Sequence, residues 1–123
     1  MGMGQRLPFE DGGCNFVLIQ HSLMYAPVEM YGEIFTEIKR VLCRGGTILI
    51  KEDNAENYVW RRVGRCGVKS NNTPRSVSHF IHESGLEVKA LGSIELMQKY
   101  GWLINRWNMV KNGKAYLIEA VKT

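Results

Sequence analysis

Two short stretches of this 123-residue chain gather side chains that hydrogen-bond or carry charge: Gln20-His21-Ser22 and Lys51-Glu52-Asp53-Asn54. Each follows directly on an apolar run, Asn15-Phe16-Val17-Leu18-Ile19 in the first case and Thr47-Ile48-Leu49-Ile50 in the second. Short apolar runs rich in β-branched and aromatic residues suit strands buried on both faces. In open α/β sheets, ligands bind at the carboxyl ends of the strands. Two such strands lying parallel deliver both polar clusters to one edge, and any chemistry belongs between them. His79 and His82 sit three residues apart, but no third ligand accompanies them, so no metal site is expected.

The elements that must position these clusters follow from periodicity. Pro27 suits the first turn of a helix, and Glu29 places negative charge near its N-terminus. Tyr31, Ile34, Phe35, Ile38, Val41 and Leu42 then fall on one helical face, opposite Glu33, Glu37, Lys39 and Arg40. Gly45-Gly46 is expected to end that helix, because glycine takes the left-handed conformation freely. Strand, helix, glycine pair and strand in that order make a right-handed βαβ unit, the building block of parallel sheets. Ahead of it, Leu7-Pro8-Phe9-Glu10-Asp11-Gly12-Gly13 is a turn-rich approach.

Beyond it the pattern is less regular. Residues 54–69 read mainly as loop, interrupted by Gly64 and Gly67. Thr73-Pro74 is an N-cap followed by proline at the first helical position, and Val77, Phe80 and Ile81 give a short apolar face up to Gly85. Leu86 to Leu91 alternates as a half-exposed strand does, and Ala115 to Val121 is the closing strand after the Asn112-Gly113 turn. The segment from Tyr100 to Val110, with Trp102 and Trp107, carries no assignable period.

Length and composition bound the rest. A chain of this size is one domain at most, and 45% apolar residues suffice for a core. The net charge of +4 suggests no more than an acidic partner or a basic patch. Cys14, Cys43 and Cys66 are odd in number and form no CxxC pair, so they read as small buried or half-buried thiols in a reducing compartment. No apolar run approaches the roughly 18–20 residues that span a bilayer. A cytosolic or nuclear location is expected.

Leu7-Pro8-Phe9, the acidic turn, the buried strand, and Arg40-Val41-Leu42 with Gly45-Gly46 before the next apolar strand resemble the later half of a class I S-adenosylmethionine-dependent methyltransferase. Gln5, Ile19-Gln20 and Lys51-Glu52-Asp53-Asn54 are similar in spacing to the α-N-terminal protein methyltransferases, with one extra residue in the last. Thr73, Arg75-Ser76, His79-Phe80 and Glu83-Ser84-Gly85 resemble that family's helix after its catalytic loop. The resemblance spans roughly residues 3–90 and implies an α/β fold. That fold is the C-terminal half of a Rossmann-like methyltransferase sheet, a parallel βαβ unit plus a closing antiparallel strand pair.

The same resemblance implies S-adenosylmethionine as cofactor, with Gly4 and Gln5 passing along the adenine and Gln20 near the methionine end. His21 and Tyr25 would face the substrate, a protein or peptide N-terminus, and Asp53 or Asn54 would hold the incoming amine. The glycine-rich loop of the family would lie upstream, so residues 1–123 are expected to form a single partial domain whose N-terminal cofactor-binding half is absent. A sheet cut in this way exposes a strand edge that a protein partner could cover. Two alternatives stand beside this reading. From Asn57 to His82 there is no acidic residue, whereas Arg61, Arg62, Arg65, Lys69 and Arg75 make the stretch basic. That suits a non-catalytic, methyltransferase-like module binding a protein or RNA. A small-molecule methyltransferase shares the same generic half-motif.

Overall fold

The structure, a computed structural model, describes residues 7–20, 22–23, 26–53, 73–91, 94–101 and 115–123. Strand β1 is Cys14–Gln20, helix α1 is Tyr31–Val41 behind a single 3-10 turn at Val28–Met30, and β2 is Leu42–Asp53. Then follow α2 (Pro74–Glu83), β3 (Glu87–Leu91), α3 (Ile94–Lys99) and β4 (Ala115–Val121). The strands form one sheet in the order β1-β2-β4-β3. β1 and β2 are parallel, and β4 runs antiparallel to both of its neighbours. The expected βαβ unit with a closing antiparallel pair is therefore the architecture found.

Alternation along the strands divides the core between the two faces. Ile48 and Ile50 of β2, with Ile118 and Ala120 of β4, pack against α1 and α2. Leu49 and Leu117 point the other way and meet Leu96 and Tyr100 of the α3 region. The helical period in α1 is satisfied in full, since Tyr31, Ile34, Phe35, Ile38 and Val41 are all buried. Helix α2 begins on Thr73, whose hydroxyl accepts the Ser76 N–H at 3.1 Å. It ends on Gly85, at φ +89°, with Gly85 N–H donating to His82 C=O and Leu86 N–H to Ile81 C=O. That pairing is a Schellman end, which glycine permits.

The end of α1 differs from expectation. It stops at Val41, and Leu42 is already extended and lies in β2, opposite Cys14 of β1. The Gly45-Gly46 pair falls inside β2, where the register with β1 shifts and Gly45 takes φ +82°. The cause lies far along the chain. The Lys122 ammonium donates to the carbonyls of Lys39 and Leu42, each at 2.8 Å, and so satisfies helix-terminal acceptors without a left-handed glycine. Gly45 N–H in turn donates to Lys122 C=O at 2.7 Å. Helix α3 was not anticipated from the sequence: at six residues it is too short to show a period.

Candidate functional site

Because β1 and β2 are parallel and in register from Phe16↔Thr47 to Gln20↔Lys51, the described members of the two polar clusters, Gln20 and Ser22 with Lys51 to Asp53, arrive at one edge. Gln20 is the last residue of β1 and is half-buried. Asp53 is the last residue of β2, opposite Ala115 of β4. Gly4, Gln5, His21, Tyr25 and Asn54 lie outside the described residues, as do the basic stretch 61–72 and the tryptophans of 102–110. The structure thus brings Gln20 beside the end of β2.

The second cluster is less exposed than its composition suggests. β2 does not stop at Ile50 but runs on to Asp53, because β4 pairs with it along that length, Leu117 opposite Lys51 and Tyr116 opposite Glu52. Lys51 and Glu52 are consequently buried completely. The Glu52 carboxylate accepts the backbone N–H of Ser22 at 2.8 Å. The Ser22 hydroxyl donates to the Gln20 carbonyl at 3.4 Å. One residue further on, the Leu23 carbonyl accepts the Tyr31 hydroxyl at 3.3 Å. Burial, and after it the Glu52 charge, push the Tyr31 hydroxyl up to about 12.

A second polar group went unnoticed in the sequence. Glu119 stands in the middle of the apolar strand β4 and is 8% exposed. It accepts the Lys99 ammonium at 2.8 Å and the Tyr100 hydroxyl. Burial alone would raise the Glu119 carboxyl, but the hydrogen bonds from Lys99 and Tyr100 outweigh it and hold the group below its usual range. The available signal was one carboxylate inside Ala-Tyr-Leu-Ile-Glu-Ala-Val, which a buried strand tolerates only with partners. Among the described residues, no group of three His, Cys, Asp or Glu is placed to hold a metal ion. No helix among them is long and apolar enough to cross a membrane.

Residues 1–50 match the profile of a family described as "Methyltransferase domain". No curated protein is significantly similar in sequence. Among solved structures, a S-adenosylmethionine-dependent methyltransferase from Methanosarcina mazei superposes with a TM-score of 0.69 at 13% identity, over 99% of this chain and 65% of that one. Geranyl diphosphate C-methyltransferase from Streptomyces coelicolor, solved with Mg2+, geranyl diphosphate and S-adenosyl-L-homocysteine, gives 0.64 at 14% identity, over 100% and 51%. A chain of the complex between the Haloferax volcanii Trm112 methyltransferase activator and a methyltransferase gives 0.66 at 15% identity, over 98% and 58%. The chain thus spans about half to two thirds of the length of these structures. At such identities the likeness is one of fold. The four-stranded sheet of this protein has the fold of part of the Rossmann-like sheet in those structures.

Proposed function

We propose that the protein is a S-adenosylmethionine-dependent methyltransferase acting on the α-amino group of protein or peptide N-termini. The observation that carries this reading is the in-register parallel pairing of β1 and β2, which sets Gln20 beside the end of β2. Strand β1 and β2 as far as Ile50 fall inside the segment matched by the methyltransferase profile. The cofactor fits that edge: Gln20 ends β1 and is half-buried, so it stays partly reachable from outside. Gln20 would hold the cofactor near its methionine end, and Gly4 and Gln5 would pass along the adenine. When bound, the cofactor supplies an electrophilic methyl group on a sulfonium. The protein then has to orient a neutral amine and accept a proton from it. Asp53 and Asn54 take that role in the proposal, with His21 and Tyr25 shaping the substrate side.

The reading includes completion of the cofactor pocket by a further cofactor-binding half, and a protein partner against the free edge of β1. Titration with S-adenosylhomocysteine separates the two levels. The chain alone is expected to bind weakly, and joined to an upstream cofactor-binding half it is expected to bind at micromolar levels. Transfer of a methyl group to an amine-bearing peptide by the joined form supports the substrate class. Binding without transfer to any such peptide overturns it.

A second reading is favoured by the likeness to a geranyl diphosphate C-methyltransferase. In it the acceptor is a small molecule, and the joined form would methylate a carbon nucleophile while ignoring peptides.

A further inference from the structure

The carboxylate of Glu52 is a buried group at the candidate edge to which the proposed chemistry gives no role. It is shielded from solvent on β2, and it reaches across to the backbone immediately after β1. Three contacts converge on that short piece of backbone. Ser22 N–H donates to Glu52 at 2.8 Å, the Ser22 hydroxyl donates to Gln20 C=O at 3.4 Å, and Leu23 C=O accepts from Tyr31 of α1 at 3.3 Å. The backbone on leaving β1 is thereby fixed from two elements at once, by an acceptor on β2 and a donor on α1. A neutral residue could fill the same volume. A carboxylate makes a charge-assisted bond to a backbone amide, roughly twice as strong as a neutral one. A bond of that kind between residues 30 apart is suited to holding two strand ends in fixed relation.

We propose that Glu52 is a positioning residue: its buried carboxylate, together with the Tyr31 hydroxyl, clamps Ser22 and Leu23 so that Gln20 is held at a set distance from the end of β2. The role rests on the methyltransferase reading for its purpose, because it is the cofactor and the amine that need a strand end held to a fraction of an ångström. Its mechanical part stands apart from that reading. In chain order the clamp brackets His21, so the residue assigned to the substrate lies between Gln20 and the clamped Ser22.

The test compares Glu52→Gln, which keeps an oxygen acceptor of nearly the same shape, with Glu52→Ala, which has none, and with Tyr31→Phe. Amide hydrogen exchange of the full chain is read residue by residue alongside its denaturant midpoint. Glu52→Ala is expected to speed Ser22 exchange about tenfold or more beyond any change at Ile48 and Ile50, since a hydrogen bond to a charged group is lost. Glu52→Gln is expected to hold Ser22 within about threefold of the parent, the amide oxygen replacing the carboxylate at reduced strength. Tyr31→Phe is expected to loosen the Ala26 amide, which donates to Leu23 C=O at 3.0 Å, more than the β2 amides.

In the form that binds S-adenosylhomocysteine, Glu52→Ala is expected to raise Kd about fivefold or more, with Glu52→Gln within about twofold. Ser22 exchange rising only in step with Ile48 and Ile50 overturns the clamp, as does an unchanged Kd in folded Glu52→Ala. If Glu52→Ala does not fold, Glu52→Gln decides alone: selective loss of Ser22 protection with an unchanged midpoint and Kd overturns positioning. If no form of the parent binds S-adenosylhomocysteine, the methyltransferase reading fails, and the exchange data still decide the clamp.

Discussion

Tyr31 and Glu119 are the two residues at which solution conditions should report on the interior. The Tyr31 hydroxyl, pushed to about 12 by burial and the Glu52 charge, stays neutral in the folded chain while its unfolded counterpart ionises near 10. A folded value above the unfolded one means stability that is intact below pH 10 and lost as pH rises toward 12, on the order of 2–3 kcal/mol for such a shift. Tyr31→Phe should lack that component, so the gap between the two proteins in urea midpoint should shift across pH 9–12. A constant gap would refute the assignment. Glu119 has the opposite sign. Although burial opposes it, hydrogen bonds from Lys99 and Tyr100 hold its carboxyl low. Its contribution is present above the ordinary carboxyl range and disappears as pH falls through the lowered value. The stability lost in Glu119→Gln should therefore be largest near neutrality and shrink in acid, by thermal melts at pH 3 to 7.

At the level of elements, what the sequence disclosed was what nearest neighbours decide. The apolar face of α1, the Thr73-Pro74 start of α2, its Gly85 end, the alternation of exposed and half-buried residues in β3 and the closing strand β4 all follow from periods and caps within a few residues. The misreadings share a cause, which is distance along the chain. Leu42 has the right spacing to extend the helix, but Cys14 and Lys122 draw it into β2. Lys51 and Glu52 look like polar residues past the end of a strand at Ile50, but pairing with β4 extends β2 through them. At the candidate site, Gln20 and the end of β2 were legible as polar residues after apolar runs. The link from Glu52 to Ser22 was not, because a side chain reaching a backbone amide 30 residues away leaves no pattern in composition. The Lys122 cap gives this a measurable form. Lys122→Met should cost about 1–2 kcal/mol, from two lost bonds at a helix C-terminus. Exchange of the last-turn amides of α1 should rise more than that of α2, whose Gly85 end is independent of Lys122. Equal effects on the two helices would count against the cap.

At the scale of the molecule, the sheet has an edge problem. Among the described residues β1 pairs only with β2, and Phe16 on it is 37% exposed beside an exposed Asn15. An open strand with an apolar side chain is a template for further pairing. Light scattering behind size exclusion should show association that grows with protein concentration, and Phe16→Lys should reduce it. A parent that stays monomeric at high concentration would show that the edge is protected. The order β1-β2-β4-β3 has one more consequence, and it concerns synthesis. Among the described strands β3 has no partner until β4 exists, since β4 lies between β2 and β3. Chains emerge from the ribosome N-terminus first, at roughly 5–20 residues per second. The βαβ unit can therefore assemble early, while α2 and β3 must wait beside it until β4 emerges. Lys122, which closes α1, comes later still. Helix α1 is finished by a residue made 80 positions after Leu42.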